Sequence, residues 1–199
     1  MEKKELQKQR MRGYFIESTK DIIRGEGVRA VSVRNISERA GYSYATLYNY
    51  FKDLREVYIY CIEDYLKECK EFILAQQHSD KPGEGRLMSK AKAYMKFFVQ
   101  YPNIFDVIFL EKTYEISSQD KIMVMVNELF DNIFCDDWAN LESPYKISMN
   151  SNDYKKQTFY MLMNSLLLFY LNRRQPATYS QFTEDSSVIL EMYLASLKG

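Results

Sequence analysis

The sequence is short of the residues that build tight turns, disulfide frameworks and membrane spans. Its 199 residues include 7 glycines and 4 prolines, too few for the many turns of an all-β sandwich or barrel. Three cysteines without a CxxC pair argue against a disulfide framework or a zinc cluster. The longest apolar run, residues 159–171, is interrupted and too short to cross a bilayer. Because the charged N-terminus also lacks the apolar stretch of a secretory signal, we expect a cytoplasmic protein with no membrane segment.

Catalytic motifs are lacking as well. The one histidine, His78, lies in a stretch with loop composition, and the sequence contains no nucleophile elbow, phosphate-binding loop or HExxH zinc motif. The adjacent carboxylates Asp136 and Asp137 cannot point at one site from a helix, so we expect them to be surface charge. The sequence therefore predicts a protein that is not an enzyme and has no cofactor or metal.

Net positive charge, the usual mark of a DNA-binding domain, is missing from the total. The chain has 27 Lys and Arg against 27 Asp and Glu. These charges are unevenly divided, however: residues 1–56 hold 12 basic and 8 acidic side chains, whereas residues 57–199 hold 15 and 19. A modestly basic N-terminal part therefore precedes a modestly acidic remainder.

What the chain does have is helical periodicity. Apolar residues recur every three or four positions through most of its length, and no alternating strand pattern of useful length is present. The expected fold class is all-α. The helices are predicted at residues 4–24, 32–40, 43–51, 54–73, 87–101, 104–112, 119–138, 153–171 and 182–197, with a loop at 78–86 and with Pro102 and Pro144 in the gaps.

Two short helices near the N-terminus have matching start signals. Ser32 is placed to cap the first, and Val31 and Ile36 have the spacing of a hydrophobic staple. Ser43 repeats this arrangement for the second helix, and Gly41 supplies the turn between them. Two capped helices joined by so short a turn indicate a helix-turn-helix.

Residues 32–57 read SVRNISERAGYSYATLYNYFKDLREV, and this stretch resembles the DNA-binding domain of the TetR family of bacterial transcriptional regulators. The first helix ending at residues 25–27, the Ala40-Gly41 turn and the pattern of residues 43–51 all fall in register. The resemblance covers about the first quarter of the chain. It implies a helix-turn-helix DNA-binding domain at residues 1–52, with the motif at about 32–51. A helical effector-binding and dimerisation domain would follow at residues 53–199.

The resemblance also implies a set of DNA contacts. Since residues near the N-terminus of a recognition helix approach base edges, we expect Arg34, Tyr44, Ala45 and Asn49 to read bases. The expected phosphate anchors, which use hydroxyls and helix N-terminal amides, are Ser43, Thr46, Tyr48 and Tyr50.

The sequence departs from the family pattern where a lysine usually begins the fourth helix. Leu54 stands there, so Lys52 or Arg55 takes over the phosphate contact, or the contact is missing. Two interpretations are also open for the basic residues at the N-terminus, which could follow the phosphate backbone or form a solvated helix face. These residues are Lys3, Lys4, Lys8, Arg10 and Arg12.

For the second domain, the resemblance implies a homodimer on a palindromic operator and a small-molecule effector. The most apolar helices would form the dimer interface through Leu162, Leu166, Phe169, Tyr170, Val188, Ile189, Met192, Tyr193 and Leu197. The pocket would hold an apolar or aromatic ligand. Its expected lining residues are Tyr65, Tyr94, Phe97, Phe98, Phe105, Ile108, Met125, Phe130 and Met163. The expected function is repression that the ligand relieves. A regulator gated by a protein partner, or one without an effector, is the alternative.

Overall fold

The computed structural model describes residues 2–76, 81–111, 116–141 and 149–197, and within these ranges the chain is helical and contains no strand. The all-α fold class is therefore confirmed. The helices are α1 Glu2–Glu26, α2 Val33–Ala40, α3 Tyr44–Tyr48, α4 Leu54–Ala75, α5 Glu84–Gln100, α6 Pro102–Phe105, α7 Ile116–Leu141, α8 Met149–Arg173 and α9 Tyr179–Ser196. A 3₁₀ turn at Val28–Ala30 precedes α2, and a π-helical turn at Asp106–Leu110 follows α6.

Several helix boundaries differ from those predicted. The recognition helix α3 ends at Tyr48, because residues 49 and 50 form a hydrogen-bonded turn. Helix α5 begins at Glu84, inside the stretch predicted to be a loop. Pro102 occupies the first turn of α6, where its missing N–H costs nothing. Pro144 and residues 78–80 of the predicted loop lie outside the described residues.

The chain divides into two compact units. The first comprises residues 1–68 and 101–126, and the second comprises residues 69–100 and 127–199. Helices α4 and α7 each contribute residues to both. This division follows spatial contacts along the chain, and the functional domain boundary predicted after residue 52 stays a prediction.

In the first unit, α1 and α4 are joined by ion pairs at a constant offset of 44 residues, which requires the two helices to run parallel. Tyr65 reinforces the pairing, since its hydroxyl donates to the Lys20 carbonyl oxygen at 2.9 Å. We call these pairs the α1–α4 row: Arg12–Glu56, Lys20–Asp64 and Arg24–Glu68.

The core of the second unit is aromatic. Tyr94 lies against Phe98 and Phe130, with ring centroids 4.9 and 5.3 Å apart. Phe130 in turn stacks on Tyr160 at 4.3 Å. The Tyr94 hydroxyl donates to Asn164 Oδ1 at 2.7 Å, and burial raises the pKa of this phenol well above its ordinary value. These contacts join α5, α7 and α8.

One sequence prediction about the second unit is wrong. Asp137, expected to be surface charge, has no solvent exposure, whereas the Asp136 side chain is 75% exposed. The Asp137 carboxylate accepts hydrogen bonds from Arg86 Nε, from Lys90 Nζ at 2.7 Å and from Gly83 N at 3.1 Å. We call this group the Asp137 cluster. Adjacent helix positions point in different directions, and here one of the two points into the core.

Candidate nucleic-acid interface

The helix-turn-helix is fixed at both helix starts by serine caps. The Ser32 hydroxyl oxygen accepts from Asn35 N at 3.1 Å, and Ser43 Oγ accepts from Thr46 N at 3.2 Å. Between the helices, Gly41 has a φ of 75°, a left-handed conformation that glycine adopts without strain. The local signals in the sequence therefore produce two short helices in a defined relative orientation.

Helix α1 supports this motif through an aromatic cluster. The Phe15 ring, which is fully buried, lies 5.6 Å from Tyr42 and 6.3 Å from both Tyr50 and Phe51, measured between ring centroids. Because Tyr42 precedes α3 and Tyr50 follows it, this one phenylalanine contacts the chain on both sides of the recognition helix. This packing leaves the opposite side of α3 toward solvent.

The residues predicted to contact DNA are mostly on that solvent side. Thr46 and Tyr50 are half-buried, and the other seven are exposed: Arg34, Ser43, Tyr44, Ala45, Tyr48, Asn49 and Lys52. Arg34, Ser43, Tyr44 and Tyr48 line one concavity of the surface, which has a volume of about 780 Å³. The same concavity is lined by Val33, Ser37, Glu38 and Tyr42. Whether these residues contact DNA stays a prediction.

The charges around the concavity are paired. Arg34 Nε donates to Glu38 Oε1 at 2.8 Å, and this hydrogen bond raises the pKa of the Arg34 guanidinium. Arg39 pairs with Glu26, and Arg55 pairs with Asp53. The exposed Lys52 side chain is not part of these pairs, although its backbone N–H donates to Glu56.

The basic residues at the N-terminus belong to α1 and do not form a separate arm. Arg12 donates to Glu56 Oε1 at 2.8 Å, and its guanidinium carbon lies 4.8 Å from the Phe51 ring centroid and 4.3 Å from that of Tyr60. Its charge is therefore held inside the first unit. The remaining four, at positions 3, 4, 8 and 10, are exposed along the helix.

The residues predicted to line a ligand pocket are distributed over both units. The first unit contains Tyr65, Phe105, Ile108 and Met125, and the second contains Tyr94, Phe97, Phe98, Phe130 and Met163. All are buried except Met125, which is half-buried. In the second unit a separate cavity of about 190 Å³ is lined by other residues, with Phe182 and Met95 as apolar surface and Lys92 and Lys96 as charges. The predicted pocket stays a prediction.

The residues predicted for the dimer interface differ in exposure. Phe169, Val188, Ile189 and Met192 are exposed, Met192 at 68%. Leu162, Leu166, Tyr193 and Leu197 are half-buried. Tyr170 is buried within its own chain, stacked on Phe182 with the ring centroids 4.3 Å apart.

A compact helix-turn-helix whose concave outer face carries Arg34 and the hydroxyls of Ser43, Tyr44 and Tyr48 is the arrangement that helical DNA-binding regulators share. Residues 15–60 match the family model described as bacterial regulatory proteins, tetR family. The resemblance read from the sequence is therefore confirmed for this segment, which is similar to the DNA-binding segment of that family.

Solved structures extend the likeness of fold to the rest of the chain. A tetR-family transcriptional regulator from Streptomyces coelicolor is 16% identical with a TM-score of 0.69, and the match covers 95% of this chain and 82% of that one. The regulator FadR from Bacillus subtilis, in complex with stearoyl-CoA, is 16% identical with a TM-score of 0.68, covering 91% and 96%. The fatty acid degradation regulator FadR from Bacillus halodurans is 14% identical with a TM-score of 0.67, covering 92% and 94%.

One further comparison and two searches of the structure found nothing. No curated protein sequence matches the chain. In the part of the chain that the structure describes, each helix is too short or too polar to cross a membrane. Within the same ranges, no three His, Cys, Asp or Glu residues are grouped as metal ligands.

Proposed function

We propose that the protein represses transcription as a homodimer bound to a palindromic operator, and that an apolar or aromatic small molecule releases it. The observation that carries the proposal is the concave face of the helix-turn-helix. There Arg34 and the hydroxyls of Ser43, Tyr44 and Tyr48 line one surface. An α-helix fits the major groove, where such groups meet base edges and phosphates.

Within this interface, Arg34, Tyr44, Ala45 and Asn49 are proposed to read bases, and Ser43, Thr46, Tyr48 and Tyr50 to anchor phosphates. Lys52 is the proposed cationic contact next to Leu54. The exposure of Lys52 supports this assignment, and the ion pair of Arg55 with Asp53 makes Arg55 the weaker candidate.

The proposed dimer interface is the apolar surface of α8 and α9. Met161, Leu168 and Phe169 on α8 are exposed, as are Val188, Ile189 and Met192 on α9. Exposed apolar side chains grouped on two neighbouring helices favour an interaction surface. An isologous pair of such surfaces would present two recognition helices to two half-sites about one DNA turn apart.

The first effectors to test are fatty acyl thioesters, because a similar regulator is in complex with stearoyl-CoA. The buried aromatic and methionine side chains predicted to line the pocket suit such an apolar chain. The ligand would release the operator only if it binds the DNA-incompetent state more tightly. Gating by a protein partner, or no gating, is the alternative.

The test is selection of bound duplexes from random DNA, with wild type and with Met192→Glu. Wild type should yield two inverted half-sites, and sedimentation should show a dimer. Met192→Glu should sediment as a monomer and bind the palindrome at least tenfold more weakly, because a buried charge at the interface is unfavourable. The matched control is Met123→Glu, at an exposed methionine of α7. A monomeric wild type, or the absence of any selected sequence, would refute the proposal.

The effector part is tested on the selected duplex by adding stearoyl-CoA or free coenzyme A. Loss of DNA binding with stearoyl-CoA alone supports an acyl-chain effector. Tight binding of stearoyl-CoA without any change in operator affinity contradicts release by this ligand.

A further inference from the structure

The ion pair between Arg34 and Glu38 lies on the concave face proposed to contact DNA. Arg34 Nε donates to Glu38 Oε1 at 2.8 Å, and both side chains line the concavity. Glu38 is the only carboxylate in residues 32–51, and the other arginine of this segment, Arg39, pairs with Glu26. The one negative charge of the motif is therefore bound to the arginine at the proposed interface.

Helix stability does not account for this pair. Arg34 is the second residue of α2, and Glu38 lies in its last turn. Both positions are unfavourable toward the helix dipole, which prefers acidic residues at the N-terminus and basic residues at the C-terminus. The side chains are 84% and 62% exposed, and ion pairs in such positions contribute little to folding. A carboxylate facing DNA would also repel the phosphates.

The geometry of the contact offers another role. The hydrogen bond to Glu38 uses Nε of the guanidinium, and it leaves the two terminal nitrogens with their four N–H groups. Those groups form the fork that donates to O6 and N7 of a guanine. A long arginine side chain that is held at Nε loses less conformational entropy when the fork binds.

We propose that Glu38 is a positioning residue, which holds Arg34 so that its terminal nitrogens read a guanine in the major groove. This inference rests on the proposed DNA-binding function and adds to it a residue that does not itself contact DNA. Glu38 would lower the affinity for DNA of any sequence and raise the preference for the operator. A carboxylate that only repels DNA would lower the affinity without changing the preference for the operator. A carboxylate with a purely structural role would change neither the affinity nor the preference.

The test measures affinity for the duplex selected by wild type and for a shuffled duplex of the same composition. Glu38→Ala should bind the shuffled duplex more tightly than wild type, while the ratio of the two affinities falls about tenfold, the discrimination of one bidentate base contact. Glu38→Gln removes the charge but keeps an oxygen that can accept from Nε. It should therefore also bind shuffled DNA more tightly and keep a ratio within about threefold of wild type.

The control is Glu63→Ala, which removes a carboxylate of another exposed i,i+4 pair in the first unit, Glu63–Lys67 at 3.1 Å. It should leave the ratio unchanged. A double-mutant cycle with Arg34→Lys identifies the partner, since lysine has no Nε and no fork. In the Arg34→Lys background, Glu38→Ala should not lower the ratio further.

The outcomes separate the two proposals. If Glu38→Ala keeps the wild-type ratio, or lowers it equally in the Arg34→Lys background, Glu38 does not position Arg34. If wild type itself fails to discriminate between the duplexes, the proposed function is wrong and this inference is overturned with it. Circular dichroism and thermal unfolding of each variant check that the protein remains folded, so that a change in the ratio is not caused by unfolding.

Discussion

The two units differ in how far they expose the carboxylates of their ion pairs. In the first, the carboxylates that α4 contributes to the α1–α4 row are each about one-third exposed, whereas the Lys20 side chain that two of them contact is 6% exposed. In the second, the Asp137 cluster is internal: Asp137 is fully buried, and the Arg86 and Lys90 side chains are 10% and 5% exposed.

This difference predicts how each unit responds to the loss of a charge. When one member of an exposed pair is removed, water replaces the missing partner, so the cost is small. When a buried partner is removed, the charge that remains has lost both water and counter-ion, so the cost is several kcal/mol. The first unit should therefore tolerate the loss of a single carboxylate from its row, since Lys20 keeps its other acidic partners. The second unit should not tolerate the loss of Asp137.

The largest effect is expected for Asp137→Ala. This change removes the carboxylate that both Arg86 and Lys90 contact, and it also removes the acceptor of the Gly83 N–H. The free energy of unfolding should fall by about 3–5 kcal/mol, measured by urea denaturation with tryptophan fluorescence, since Trp138 is the neighbouring residue.

Asp136→Ala is the matched control, one position along the same helix. Its side chain is 75% exposed and lies 3.8 Å from Arg86, so we expect a change within about 0.5 kcal/mol. Similar losses for the two variants would mean that burial of the cluster does not determine its contribution.

The sequence predicted the first unit in more detail than the second because its signals there are local. A cap, a glycine turn and a hydrophobic staple each involve residues within five positions of one another, as at Ser32 and Ser43. Such signals can be recognised without knowledge of the tertiary fold. The end of α3 was still missed by three residues, since the aromatic periodicity continues to Phe51 through a turn.

The Asp137 cluster shows why the second unit was harder to predict. Its partners lie 47 to 54 residues away along the chain, and nothing in the sequence near Asp137 identifies them. The sequence Asp136-Asp137 would read the same whether one of the two side chains faced the core or both faced solvent. Arg86 and Lys90, spaced by one helical turn on α5, were the available signal, but their burial becomes apparent only once α5 packs against α7.

An intermediate effect is expected for Glu68→Gln in the α1–α4 row. Burial opposes ionisation of Glu68, but hydrogen bonds from Arg24 and Lys20 outweigh it and lower the pKa of this carboxyl below its ordinary value of 4.5. A lowered pKa in the folded state stabilises the protein above the unfolded pKa, and the gain is lost as the pH falls through the folded value.

Near neutral pH, Glu68→Gln should therefore cost about 1 kcal/mol, since the side chain is partly screened by solvent. The difference from wild type should shrink as the pH is lowered below about 4.5. Urea denaturation at about pH 7, 5 and 3 measures this. Glu63→Gln, on the same helix with a more exposed carboxylate, should show little effect at any of them. A Glu68→Gln deficit that is the same at all three would contradict a contribution from ionisation.

The smallest effect is expected for Arg12→Lys, and it separates charge from shape within the row. Lysine keeps the positive charge beside Glu56 but loses the planar group that lies over the Phe51 and Tyr60 rings at 4.8 and 4.3 Å. We expect a loss of about 0.5 kcal/mol, in the range of a partly exposed cation–π contact. Arg12→Met, which keeps the apolar stem without the charge, is the companion variant. If the Arg12→Lys variant were as stable as wild type and the Arg12→Met variant were not, the ion pair alone would hold α1 to α4 at this point.

The same variant makes a prediction about DNA binding. Because the guanidinium is already bound within the unit, Arg12→Lys should leave the salt dependence of DNA binding unchanged. A reduced dependence would mean that Arg12 leaves Glu56 to contact a phosphate.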